Sequence, residues 1–492
     1  MSKNIFSIYR SRLRSNTQPG RSFTKDAFGH RNSQGLRRRV GYAFMIFSIG
    51  CAFSSCKKIL NVTPANAVND ASVFTSVNGL QNARIGMYST LQSQYYYGGD
   101  FPLLVDCYSD NGTTGGYAVI DLNDIASKTM ETANIYTTGI YTAIYSSIYS
   151  ANEIITNIGK VPNLDPATGA NILGEALFIR ALGEFDLLRL FGQHWDKTSK
   201  YGISIKLSPG QPKVPVARSS VDSSYQQIFA DLKLAIGSLN TYNGNQYASL
   251  SAAKALLARV DLYYGDFTDA AALATDVISD NTFSLFGPDN FTSIYTSQLT
   301  PESVFELKFD IQNQSFYNTL TYVRSDALRT DVAFLAAASL DTFFQSRPAD
   351  RRSQLVDFVN VDLSIQPDGR TQKYRGEQTK DNSGYIIRLA EMYLIRAEAL
   401  GRTAGLADLN MIRVNRGMAP LAGADVPDSV SYLNAVMDER RAELNFEGHR
   451  LFDLARTNNV DNILGAGVNP IMPIPQREID GTGGVVIQNP GY

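Results

Sequence analysis

Glu439, Glu443 and Glu447 recur every four residues, a spacing that stacks carboxylates on one helix face, and Arg440, Arg441, Arg450 and Arg456 interleave with them. Paired carboxylates are what glycoside hydrolysis requires, one of them held protonated as the acid. Arginines at these spacings act in the opposite sense, because a nearby cation keeps a carboxylate ionised. The cluster therefore reads as an ion network pinning a C-terminal helix to its surroundings, and no catalytic residue is assigned. His449 lies among these groups without His or Cys partners at zinc-binding spacing, so it reads as a packed, hydrogen-bonded histidine, and no metal site is assigned.

Two further groups invite chemistry. Gly481–Gly484 (GTGG) lacks the lysine and the strand–loop–helix context of a phosphate loop and reads as a turn. Asp106, Asp110, Asp121 and Asp124 do not follow the spacing of a calcium-binding helix–loop–helix and read as solvated loop acids. The segment Tyr95–Tyr117 is the most suggestive for binding. Tyr95, Tyr96, Tyr97, Asp100, Tyr108, Asp110, Asn111 and Tyr117 combine aromatic faces with amide and carboxylate groups. Sugars carry apolar C–H faces and dense hydroxyls, which such a set can stack on and hydrogen-bond. Clustered tyrosines also populate protein interfaces, so ligand recognition and protein contact both stand for this segment. Trp195, the single tryptophan, reads as a packing residue, and Tyr295, Tyr317, Tyr322 and Arg324 are the next binding candidates.

The elements that must position these residues are mostly helical. Val77–Ser93, Ile140–Ile158, Ser219–Leu239, Tyr385–Gly401, Leu406–Arg416 and Asp428–Asn445 carry helical periodicity or capping residues. Ile172–Phe191 is apolar on more than one face and must be central. Ala252–Ile278 reads as helix, Gly265-Asp266 turn, helix, with alanines at close-approach positions. That pattern is similar to a tetratricopeptide unit, which buries both faces only by stacking on neighbours. Tyr95–Tyr117 reads as a long loop or short irregular sheet, Gly192–Arg218 as a connector, and Asp280–Gly384 as loops with some strands and short helices. The chain from Gly465 onward reads as extended with turns.

Charge and cysteines place this array. Ten of the 45 basic side chains and one of the 47 acidic ones precede residue 57, leaving 35 basic and 46 acidic, a net charge of −11. That sign excludes phosphate-backbone binding, so no nucleic-acid partner is assigned. Arg37-Arg38-Arg39, the apolar run Val40–Phe53 and Ser54-Ser55 before Cys56 have the order of an export signal ending in a bacterial lipobox, with Phe53 where leucine is usual. Cleavage before Cys56 would leave its thiol to carry acyl chains. Lys57–Asn69 is then a polar tether. Cys107 alone remains in the mature chain, so no intramolecular disulfide can form; it reads as a buried small residue.

The order of several motifs resembles the RagB/SusD family of surface lipoproteins. They are ERRAELNFEGHRLFDLART at Glu439–Thr457, PIPQREID at Pro473–Asp480, QNPGY at Gln488–Tyr492, EALFIRALGEFDLLRLFG at Glu175–Gly192, VPVARSSVDSSYQQIFADLKLAI at Val214–Ile236, RLAEMYLIRAEAL at Arg388–Leu400 and LNMIRVNRG at Leu409–Gly417. The resemblance implies a mostly α fold of tetratricopeptide-like helix pairs supporting a loop-rich α+β part. It implies a signal peptide over 1–56, an N-terminal helical region over 57–285 and a C-terminal region over 286–492. It further implies a protein anchored by lipid to the outer membrane's cell-surface face and acting as the lid of a SusC-like TonB-dependent transporter. Its ligand would be oligosaccharide, or peptide, with no cofactor and no catalysis. A helical scaffold without ligand and a glycoside hydrolase are the competing readings.

Overall fold

Residues 73–115, 120–209, 215–317, 333–357, 369–374 and 380–492 are described by the computed structural model. They belong to one unit that begins at Asn69. Cys56, Lys57–Asn69, Tyr117, Tyr322 and Arg324 lie outside the described residues.

The first half is built of helices α1 (Val77–Leu91), α2 (Asp100–Tyr108), α3 (Ile120–Ser127), α4 (Ile135–Asn157), α5 (Pro166–Phe191), α6 (Val221–Ser238), α7 (Leu250–Tyr264) and α8 (Phe267–Ile278). The second half contributes α9 (Ala338–Gln345), α10 (Leu389–Asn415), α11 (Ser429–Leu444), α12 (Arg450–Arg456), α13 (Val460–Leu464) and α14 (Gln476–Gly481). The fold is mostly α, as the sequence led us to expect. The array assembles by succession. α1 packs on α4, α4 on α5, α5 on α6, α6 on α7, α7 on α8, α8 on α10, and α10 on α11. α5 is central: its residues from Asn171 to Phe191 are buried apart from Leu173, its apolar side chains lying on more than one face. Asp165 caps its start, accepting from the Thr168 amide at 2.9 Å, and a proline occupies its first turn.

α7 and α8 form the expected pair. Gly265 turns the chain at φ +86°, a left-handed conformation that glycine adopts without a Cβ penalty, and Asp266 caps α8. Buried Ala252, Ala255, Ala270 and Ala274 permit the close approach. α10 is two helices joined at Gly401 (φ +68°), which matches the break read between Gly401 and Leu406. A capping box between Asp428 and Ser431 opens α11.

Among the described residues, strands occur as antiparallel pairs: β1 (Gly112–Thr114) with β3 (Phe334–Ala336), β2 (Ser303–Leu307) with β6 (Gly384–Arg388), and β4 (Val356–Asp357) with β5 (Arg370–Thr371). Three expectations need correction. Tyr385–Arg388 is strand, not helix: its β-favouring Tyr-Ile-Ile run pairs with β2, and α10 begins only at Leu389, whose amide donates to the Glu302 carbonyl at 2.9 Å. Asp100–Tyr108 is helix rather than loop; all of α2 is buried, so it has no polar face from which a helical period could be read. Gln476–Gly481 is a short helix with no buried residue, where extended chain was expected.

Candidate functional site

The glutamate signature lies in the interior. Glu439 and Glu443 face inward from α11, and Glu447 lies just beyond its end. Glu443 pairs with Arg352 (3.1 Å), Arg388 (2.8 Å) and Arg416 (2.9 Å). Glu447 pairs with Lys373 (2.6 Å) and Arg388 (2.8 Å). Glu439 pairs with Arg347 (2.8 Å), Arg413 (3.2 Å) and Arg352. These contacts tie α11 to β6, to the end of α10 and to the segment before β4. Burial alone would push the Glu443 carboxyl up, but Arg416, Arg388 and Arg352 outweigh it and hold the group well below the usual carboxylate range. Glu447 is depressed in the same way by Arg388 and Lys373. Buried and held in the ionised form by their cationic neighbours, neither has the raised pKa that a general acid needs. His449 is buried, and burial together with Arg259 and Arg440 depresses it well below its ordinary value, so its ring stays neutral.

The tyrosine segment separates into an inner and an outer part. Tyr96 and Tyr97 are buried, donating to Asp186 Oδ2 at 2.5 Å and 2.8 Å, with Phe101 edge-on to both rings. Asp100 is buried, and burial pushes its carboxyl up to about 7. The Tyr108 hydroxyl donates to the Asn469 carbonyl at 2.7 Å. Asn111 donates to Asp106 at 2.7 Å and accepts from Arg441 at 2.9 Å. Asp110 is paired with Arg450 (2.7 Å) and Arg441 (3.0 Å). A ring can stack on a ligand only through an open face, so the expected contact role for Tyr96, Tyr97, Asp100, Tyr108 and Asn111 gives way to packing, and Asp110 is spent on arginines. The four aspartates do not converge on a cation either: Asp106 accepts from the Gly448 amide (3.0 Å) and Asp121 from the Ile135 amide (3.0 Å). Among the later candidates, Tyr295 and Tyr317 are buried.

Among the described members of the set, Tyr95, 40% exposed, keeps an open ring. It borders a groove of about 740 Å³ along the outward face of α4. Its ring packs against Gly139: a Cβ at that position would stand 2.3 Å from Tyr95 Cδ1. Thr138, Thr142 and Ser146 follow one another every helical turn along the floor. Thr142 donates to the Thr138 carbonyl (2.8 Å), and Thr90, on the wall formed by α1, donates to the Met87 carbonyl (2.6 Å). With their protons directed into the backbone, these hydroxyls present acceptor lone pairs to the groove. The far wall is α14, contributing Gln476, Arg477 and Asp480, docked through the Gln476 amide to the Thr132 carbonyl at 2.9 Å. An open aromatic face, the acceptor hydroxyls of Thr142 and Thr90 and a rim of amide, guanidinium and carboxylate can hold a polyhydroxylated ligand without reacting with it. The period-four row Thr138–Thr142–Ser146 with Gly139 beside it was readable in the sequence, and the α14 wall was not, because its segment was expected to be extended.

The described residues thus define a class: an array of helix pairs carrying an external groove, in which no described helix is long and apolar enough to cross a membrane. A family model described as "Starch-binding associating with outer membrane" matches residues 58–262, and the SusD family model matches residues 355–492. SusD-like protein P38 of Formosa agariphila is 23% identical over 505 aligned positions, covering 90% of this chain and 95% of that one. A SusD superfamily protein of Bacteroides thetaiotaomicron superposes with a TM-score of 0.74 at 24% identity over 84% of this chain and all of that one. A laminarin-binding SusD-like protein superposes at 0.73 with 23% identity, covering 85% of this chain and all of its own. The chain belongs to the SusD/RagB family.

Proposed function

We propose that this protein is a surface glycan-binding lipoprotein that takes up oligosaccharide in the Tyr95 groove and delivers it to a SusC-like TonB-dependent transporter, whose lid it forms. Attachment to the outer membrane is through acyl chains on Cys56, since two chains hold a protein on a membrane where one is marginal. The observation that carries the reading is the groove: a stacking ring seated on Gly139, facing acceptor hydroxyls, in a chain of the SusD/RagB family. Laminarin binding by a structural relative supports a glucan as the first ligand to try. The protein binds without cleaving, as the ionised, enclosed glutamates provide no acid.

Calorimetry with laminarihexaose and maltohexaose tests this reading. Tyr95→Ala is expected to weaken binding about five- to tenfold, in line with the roughly 0.5–1.5 kcal/mol of an aromatic contact. Unchanged affinity would remove the groove from the ligand site. Shorter oligomers released by the pure protein on prolonged incubation would overturn the non-catalytic part. Cys56→Ala should leave the chain unacylated and detached from the membrane fraction, or its signal uncleaved.

A further inference from the structure

We infer that the groove continues, at the end away from Tyr95, into a second subsite, so that its occupant is an extended, uncharged oligosaccharide lying along α4. This rests on reading the groove as a glycan site. A second hollow of about 400 Å³ adjoins the first and shares Thr142, Ser146 and Arg477 with it. Half-buried Tyr149 lines it from α4, at the opposite end from Tyr95. Gly139, under the Tyr95 ring, and Tyr149 are roughly ten residues apart on one helix, about 15 Å along its axis. That separation calls for a chain of several sugar units rather than one.

The charges along the path settle the chemistry of the chain. Its cations are Arg477 and Lys206 and its anions Glu478 and Asp480, which sum to zero. Lys206 is already engaged, 3.3 Å from Glu478 and 4.3 Å from the centre of the Tyr145 ring. Asp480 accepts from Gln476 at 2.9 Å. A uronate or sulfate ester would meet carboxylates as often as cations, with no uncommitted cluster of positive charge to hold it. A neutral chain meets acceptor hydroxyls on the floor, an aromatic at each end and Arg477 as a donor at the join. The two hollows are therefore subsites of one ligand.

The test is calorimetry at two ligand lengths with the lipid-free mature chain. Tyr149→Ala is expected to weaken laminarihexaose and maltohexaose about fivefold and leave the corresponding trioses unchanged, whereas Tyr95→Ala weakens both lengths. Ser146→Trp, at an exposed helix position in the shared stretch, should likewise reduce hexaose affinity toward that of the triose, and thermal unfolding confirms that each variant is folded. If Tyr95→Ala weakens every ligand but Tyr149→Ala and Ser146→Trp weaken none, the second subsite is overturned and the groove stands. Tighter binding of a hexameric oligogalacturonate than of the neutral hexaoses overturns the neutral-chain assignment. If wild-type protein binds neither neutral hexaose, or binds them with Tyr95→Ala without effect, the groove reading and the subsite fall together.

Discussion

The interior around Glu443 and the groove over α4 are opposites in composition. The first concentrates glutamate, arginine and lysine at 2.6–3.2 Å with almost no solvent contact. The second is a shallow surface of hydroxyls, one open tyrosine and a charge-balanced rim. The residues richest in reactive groups are thus architectural, and the ones suited to a ligand are chemically mild. Charged groups taken out of water must be fully paired, and full pairing removes the raised pKa and the free valence that catalysis needs. Neutral acceptors can remain exposed at little cost, hydrated by water until a polyhydroxylated partner supplies donors.

Breaking the first region should have the largest effect. Glu443→Gln leaves Arg352, Arg388 and Arg416 short of a counter-charge in the interior, and removal of one member of a buried pair costs about 3–5 kcal/mol. Urea unfolding should show that loss, while the folded fraction retains its glycan affinity. Because Glu443 and Glu447 are depressed in the folded protein, their contribution is complete above the unfolded value of 4.5. It should fade as pH falls below that value through their folded pKa values. A Glu443→Gln protein as stable as wild type at pH 7 would mean that the network is not what fixes α11.

Gly139→Ala separates the two regions by sign. In a helix, alanine is favoured over glycine by roughly 0.5–1 kcal/mol, so the melting temperature should hold or rise. The added methyl would overlap the Tyr95 ring and lift it from its seat. Affinity for laminarihexaose should then fall several-fold, approaching the Tyr95→Ala value. Affinity that tracks wild type would show that the ring's seat on Gly139 is incidental to binding.

This contrast also explains what could be read from the sequence. The α7–Gly265–α8 pair was legible because alternating faces, a glycine and a capping aspartate are local signals. The ion network was legible in outline, as interleaved Glu and Arg, but its partners Arg352, Lys373 and Arg388 come from distant segments. α2 and β6 were misread for one reason: a segment buried on every side has no polar face, so its period is hidden. The tyrosine segment misled differently. Tyr95, Tyr96 and Tyr97 are adjacent, yet two turn inward to Asp186, a partner on α5 some 90 positions away. Composition drew attention to the segment as a whole, and only tertiary packing separates the exposed ring from the buried ones.

Asp100 lies between the two regions and offers the smallest and most discriminating effect. It opens α2, within electrostatic reach of Tyr136 close to the groove, yet it is buried like the network carboxylates and lacks their arginines. Burial raises it from 3.8 to about 7. Between those values the unfolded chain loses a proton that the folded chain retains, so stability declines as pH rises through the window and is level above it. Asp100→Asn removes that penalty: it should be neutral at pH 4 and stabilising at pH 8, on the order of 1 kcal/mol once relaxation around the charged form is allowed for. Chemical denaturation at the two pH values measures the difference. Glycan affinity between pH 5 and 8 should be flat and the same in both proteins, because the carboxyl is buried and does not line the groove. If affinity instead changes with the protonation of Asp100 and the change disappears in Asp100→Asn, the interior and the groove are coupled, and the division between architecture and binding surface fails at this residue.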